Sequence, residues 1–171
     1  MPRHRFAVSV LAAVLAAACS SAPPTKPAEV GLTNFAAPLP HVFSSGQPSP
    51  TQFAQLAAVG ITRVVCLRPT TEPGTGFEEA AAPGLGLHFV RVPVGGKDGL
   101  TRANVDRLAK ELADAGDGNT LVYCHSSNRV GALLALKAAW LDGKPPKEAI
   151  DLGKRAGLTK LEPAVAEQLA K

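Results

Sequence analysis

An α/β domain built on a central, mainly parallel sheet is the fold class predicted here, and three observations predict it. From residue 42 onward, short apolar runs alternate with stretches of helical period. The run 61–67 is largely β-branched and apolar, with Arg63 its one charge, as is typical of a buried strand. Residues 130–141 are apolar on nearly every side, with Lys137 as the one charge, so that helix packs deep in the domain.

The elements follow in order. Residues 41–44 read as a short strand, Gly46-Gln47-Pro48 as a turn, and Ser49-Pro50 as a helix start with proline near the first helical position. Phe53, Leu56 and Ala57 give that helix an apolar face, and Gly60 stops it. After the strand 61–67, residues 69–76 form a Pro/Gly/Thr loop, and 77–82 hold a short helix ended by Pro83-Gly84. Residues 87–94 form the next strand, which runs into Gly95-Gly96-Lys97-Asp98-Gly99. Thr101 caps a helix whose Val105, Leu108, Ala109 and Leu112 follow the i, i+3, i+4, i+7 rule, and Gly116 closes it. The strand 121–123 feeds the buried helix 130–141, and the helical stretches 146–156 and 159–170 complete the chain.

Ahead of this domain, Arg3 and Arg5 precede an apolar run, 6–18, too short to cross a hydrocarbon layer of roughly 30 Å as a helix. That is the pattern of a secretory signal. Small residues then lead into Cys19, which resembles the lipobox of bacterial lipoproteins, although the leucine lies one place further from the cysteine than usual. The resemblance implies an exported lipoprotein facing the periplasm or the cell exterior, held to a membrane surface through an acylated Cys19; a plain secreted protein cut near Ala18 is the alternative. The expected organisation is signal 1–18, lipidated cysteine and flexible tether 19–34, and one α/β domain 35–171. The formal charge of +4 loses two units with Arg3 and Arg5, and no basic cluster stands out afterwards, which excludes nucleic-acid binding as an expectation. His4, His41, His88 and His125 are scattered without ligand spacing, so no metal and no other cofactor is expected. No sequence feature sets the oligomeric state.

The segment that carries chemistry is Tyr123-Cys124-His125-Ser126-Ser127-Asn128-Arg129-Val130-Gly131. It joins a buried strand directly to a buried helix at the carboxyl end of a parallel sheet, where ligand crevices form. A loop that enters a helix presents unpaired N–H groups and the positive end of the helix dipole, together an anion cradle. The same environment favours the thiolate of Cys124. Arg129 adds a permanently charged bidentate donor for an oxyanion. His125, Ser126, Ser127, Asn128 and Val130 complete the expected anion-binding loop.

Four further stretches, Ser45-Gly46-Gln47-Pro48-Ser49, residues 60–69, Val92-Pro93-Val94, and Cys124 through Leu133, resemble the bacterial protein-tyrosine-phosphatase-like family, also labelled beta-lactamase-hydrolase-like and sulfurtransferase. The resemblance covers about residues 35–165. It implies the three-layer cysteine-phosphatase fold, with about four to five strands flanked by helices. It also implies nucleophilic attack by Cys124 on a phosphorylated small molecule or phosphoprotein, with Arg129 holding the equatorial oxygens and Asp98 on the loop after the third apolar run as general acid. A solvated turn aspartate is the other reading of Asp98. The chain departs from the phosphatase pattern in several places. Four residues, not five, separate Cys124 from Arg129; Tyr123 replaces the histidine usual before the cysteine; Ser127 stands where a glycine is expected; and Val130 replaces the hydroxyl residue after the arginine. Ser126 and Ser127 are the residues expected to compensate, by donating to the thiolate or the anion. A six-residue loop opening with cysteine is also what rhodanese-type sulfurtransferases use, so a Cys124 persulfide carrier is one rival function and a non-catalytic anion-binding module another. Cys66 lies near the carboxyl end of its strand, on the same side as Cys124, and is a candidate partner for a reversible disulfide; a buried inert thiol is the other reading of it.

Overall fold

The computed structural model describes residues 26–170; the expected signal and Cys19 lie outside them. Five strands form one sheet in the order β1 (Ala36–Leu39), β2 (Val42–Ser45), β5 (Asn119–Tyr123), β3 (Ile61–Cys66), β4 (His88–Arg91). β1 is antiparallel to β2, and the other three pairings are parallel. The last strand in sequence therefore lies in the middle of the sheet, between β2 and β3, and its carboxyl end opens at the point where the strand order reverses.

Helices cover both faces. α1 (Pro50–Gln55) and α2 (Glu78–Ala81) lie on one side, where Phe53, Leu56, Val64, Leu121 and Tyr123 form an apolar cluster. α3 (Arg102–Asp114), α4 (Asn128–Trp140), α5 (Pro146–Arg155) and α6 (Glu162–Leu169) lie on the other, over Val65, Val92, Val122 and Cys124. α4 carries no polar stripe because it is enclosed: Val130 and 132–136 are all buried under α5 and α6. Gly131 makes that approach possible, since a Cβ there would fall 2.3 Å from the Leu158 nitrogen.

Two expectations need correction. The stretch 19–34 is not a free tether throughout. From Lys26 it is ordered, with a 3-10 turn at Pro27–Val30, and Val30 and Leu32 are buried in the cluster with Phe53 and Leu56. Two apolar residues in a proline-rich stretch are too few to show a period, yet they close the open end of that core. The second is β1, a strand ahead of the one expected at 41–44, and it contains Pro38. At the edge of a sheet, a residue without an N–H costs no ladder bond.

Candidate active site

β5 ends at Tyr123 and α4 begins at Asn128, so Cys124 and the next three residues form the whole connection. The loop is pinned from β2: the Cys124 N–H donates to the Ser45 carbonyl at 3.3 Å, and the Gln47 N–H donates to the His125 carbonyl, also at 3.3 Å. Gly46 lies between these contacts, and a Cβ there would meet the His125 oxygen at 2.9 Å. Asn34, from the supposed tether, donates through Nδ2 to the Ser126 carbonyl at 3.1 Å. His125 and Ser126 are exposed at the crest of the loop, Cys124 is 1 % exposed at its floor, and Val130 is buried beneath it.

Ser127 turns the chain. Its φ is +68°, a left-handed conformation that a non-glycine residue rarely takes, and its hydroxyl donates to the Ala156 carbonyl at 2.8 Å. This corrects the role expected of Ser127: the hydroxyl is committed to the turn between α5 and α6, and donates neither to the thiol nor to an anion. It also makes no capping bond to α4, so the first N–H groups of that helix are not closed off by the residue that ordinarily would cap them. Asn128 is likewise structural. Its Oδ1 accepts from the N–H groups of Thr159 and Leu161, which fixes the turn into α6 and explains why α6 starts at Glu162 rather than at 159.

Arg129 projects from the first turn of α4. Its Nη1 donates to Glu72 Oε1 at 2.5 Å and to the Val94 carbonyl at 2.9 Å, and its Nη2 donates to Glu72 Oε2 at 2.9 Å. The ion pair with Glu72 holds the guanidinium above its usual range against the opposing effect of burial, and the nearby Cys124 adds to this. Glu72 is held down to about 2, chiefly by Arg129 and further by Arg68, whose Nε donates to Oε2 at 2.8 Å. It is therefore ionised at any physiological pH and has no proton to give. Arg68 is only 4 % exposed. Its other donors reach Gln47 Oε1 at 2.8 Å and the Pro73 carbonyl at 2.6 Å, so it staples the loop 69–76 onto the sheet.

Behind this pair lies a second polar group. Glu78 is fully buried and accepts from Tyr123 Oη at 2.7 Å, Gln47 Nε2 at 2.9 Å, the Gly76 N–H at 2.6 Å and Arg91 Nη2 at 3.1 Å. Burial alone would raise its pKa, but these donors win and hold it at about 2. Tyr123, which replaces the expected histidine, thus anchors a carboxylate rather than the cysteine.

Cys66 belongs to this second group. It is in register with Tyr123 and shares the α1/α2 side with it, whereas Cys124, one residue further on, faces the α3/α4 side. Both thiols are free. Arg91 Nη1 donates to Cys66 Sγ at 3.0 Å, and burial pushes the thiol's pKa up. A disulfide with Cys124, one of the two readings of Cys66, is not formed, because alternation along the strands sends the two sulfurs to opposite faces. Asp98 lies in the 3-10 turn Gly96–Gly99, exposed, on the loop whose Val94 carbonyl Arg129 holds. Among the described residues, no three His, Cys, Asp or Glu side chains cluster as a metal would require.

Glu72, Asn34 and the supporting role of Gln47 were not among the expected site residues. Glu72 had one legible signal: it is the single carboxylate in an otherwise Pro/Gly/Thr loop, four residues after Arg68.

Solved structures share this architecture. A candidate phosphatase (DUF442) from Shewanella putrefaciens superposes with a TM-score of 0.65 at 18 % identity, over 82 % of this chain and 93 % of that one. The fold is that of the cysteine phosphatases. TpbA of Pseudomonas aeruginosa, solved with phosphotyrosine, shares this phosphatase fold at a TM-score of 0.59 and 16 % identity, over 86 % of this chain and 94 % of that one. In sequence, the chain is similar to the beta-lactamase hydrolase-like protein of Xylella fastidiosa, 33 % identical over 111 residues, which are 63 % of this chain and 25 % of the relative. The chain thus spans about a quarter of the length of the curated relatives it matches. No protein-family model matches the sequence.

Proposed function

We propose that this chain is a cysteine-dependent phosphatase acting on a phosphorylated small molecule or phosphoprotein, exported and tethered to a membrane through an acylated Cys19. The observation that carries the reading is the Arg129 guanidinium, fixed on two sides by Glu72 and the Val94 carbonyl beside the Cys124 thiol, at the switch point of the sheet.

In this mechanism the Cys124 thiolate attacks phosphorus, forming the S–P bond as the bond to the leaving oxygen breaks, while Arg129 and the first N–H groups of α4 stabilise the equatorial oxygens. Asp98 gives its proton to the leaving oxygen. Water then attacks the phosphocysteine, Asp98 takes a proton from it, and the S–P bond breaks to release phosphate and restore the thiolate. Since Glu72 stays ionised in its double ion pair, it is no competitor for the acid role.

Hydrolysis of p-nitrophenyl phosphate tests this. Turnover that disappears in Cys124→Ser and Arg129→Ala, and falls at least tenfold in Asp98→Asn, is expected. Unchanged turnover in Asp98→Asn would remove the acid assignment. Thiocyanate formation from thiosulfate and cyanide, with no phosphate release, would replace the phosphatase reading with sulfur transfer.

A further inference from the structure

The peptide that joins Ser126 to Ser127 can lie in two ways. It is planar and trans, so the Ser126 carbonyl and the Ser127 N–H point in opposite directions, and turning the plane over by about 180° exchanges them. The rest of the loop stays in place. The same flip carries Ser127 from φ +68° to about −110°, which with its ψ of −8° is ordinary backbone for a residue with a side chain. The observed orientation is therefore the strained one of the two, and Ser127 by itself favours the other.

Asn34 opposes the flip, because its Nδ2 donates to the Ser126 carbonyl at 3.1 Å. The Gln47 N–H acts one peptide earlier, on the His125 carbonyl, and the Ser127 hydroxyl bond to Ala156 lies beyond the flipping plane. Neither resists the rotation. Asn34 itself is held on both sides. Leu32 is buried in the cluster with Phe53 and Leu56, the Thr33 carbonyl accepts from the Gly46 N–H at 2.7 Å, and Phe35 stacks on Phe43 with ring centroids 5.7 Å apart. Its φ of +52° is left-handed, a conformation asparagine tolerates better than most residues with side chains.

We infer that Asn34, on the segment ahead of the sheet, is a positioning residue of the anion loop: it keeps the Ser126 carbonyl turned out and the Ser127 N–H turned to the inner side, where an oxyanion is received. The inference rests on the proposed function, in that it takes the loop from Cys124 to Arg129 as the seat of a phosphoryl group. In the flipped loop a carbonyl oxygen stands where that N–H was, and it repels an oxyanion instead of binding it. Flipped molecules are not competent, so anion affinity and turnover fall together by the fraction that has flipped. The Asn34 bond is exposed to solvent and contributes little to overall stability, so its effect is read at the loop rather than in the unfolding curve.

The experiment is a double-mutant cycle in the full chain, with kcat/KM for p-nitrophenyl phosphate and calorimetric titration with inorganic phosphate as its two readouts. Asn34→Gly keeps the left-handed backbone and removes the donor, and it is made in the wild-type chain and in Ser127→Gly. In the wild-type chain the strain at Ser127 then decides the orientation, and both readouts are expected to fall about tenfold. In Ser127→Gly the two orientations no longer differ in strain, so losing Asn34 leaves about half of the molecules competent, a fall of about twofold. Where Asn34→Gly fails to fold, Asn34→Asp decides by the same comparison, since its added charge is common to both backgrounds. Unchanged readouts in the wild-type chain overturn the inference. Equal losses in the two backgrounds make Asn34 a brace of the fold and overturn it as well, and both results leave the phosphatase reading standing. Wild-type protein that binds no phosphate and hydrolyses no aryl phosphate overturns the proposed function, and this inference with it.

Discussion

Replacing Gly157 with alanine tests how the loop from Cys124 to Ser127 is allowed to turn. Gly157 lies in the turn between α5 and α6, at φ +98°, and a Cβ placed there would come within 2.6 Å of Ser127 Cβ and 2.9 Å of its hydroxyl oxygen. Two costs add. The left-handed backbone costs a side-chain-bearing residue about 1–2 kcal/mol. Crowding against Ser127 adds about 1–3 kcal/mol, because Ser127 is itself held at φ +68° and cannot retreat without breaking its bond to Ala156. The sum is about 2–5 kcal/mol. Gly116→Ala is the control for the first cost, since Gly116 has φ +54° and open space where its Cβ would be. Urea denaturation at constant m-value is the measurement, with p-nitrophenyl phosphate turnover alongside. Gly157→Ala is expected to cost at least 1 kcal/mol more than Gly116→Ala and to cut turnover, because the displaced residue adjoins the first turn of α4. Equal costs in the two variants would refute the reasoning.

Two further outcomes follow from the polar groups behind the site. Glu78 and Glu72, each held at about 2 against an ordinary 4.5, remain charged in the folded chain while the unfolded chain takes up protons. Their stabilisation is therefore complete above about pH 4.5 and is lost as pH falls toward 2. For buried Glu78 this amounts to roughly 3 kcal/mol, and for the more open Glu72 to less; urea midpoints that stay flat from pH 6 to 2.5 would show the donors to be ineffective. Mass spectrometry of unreduced protein after mild oxidation is expected to show Cys66 and Cys124 unlinked to one another, and a Cys66–Cys124 bridge would mean that the sheet end rearranges.

Most of the frame was legible because its signals are local. The period of Val105, Leu108 and Leu112 and the cap at Thr101 give α3, and the β-branched run 61–67 gives β3 to within one residue of its end at Cys66. The enclosed α4 was legible from its lack of any polar face. What escaped depends on contacts distant in sequence. Val30 and Leu32 acquire meaning only against Phe53 and Leu56, and Glu72 only against Arg129, 57 residues away. Cys66 and Cys124 were correctly placed at the carboxyl end of the strands, but the end does not decide the face. Register does: Cys66 is opposite Tyr123, so its neighbour Cys124 must point the other way.

The serine at 127 shows how a loop one residue shorter than the phosphatase pattern still joins β5 to α4. Four residues must carry the chain from the end of β5 into the first turn of α4, which requires a left-handed step where glycine is the ordinary solution. Here the strain is accepted by Ser127, and the space its side chain needs is cleared in the turn between α5 and α6 by Gly157. The hydroxyl then offsets part of the strain by bonding to Ala156, which couples the anion loop to the end of α5. Substituting Ser127 by glycine relieves a strain and loses a hydrogen bond of similar size, so stability alone does not explain the serine. Its consequence is rigidity: a glycine at 127 would leave the start of α4 free to shift, whereas the serine bond, with Asn128 tied to Thr159 and Leu161, fixes the helix end from which Arg129 projects.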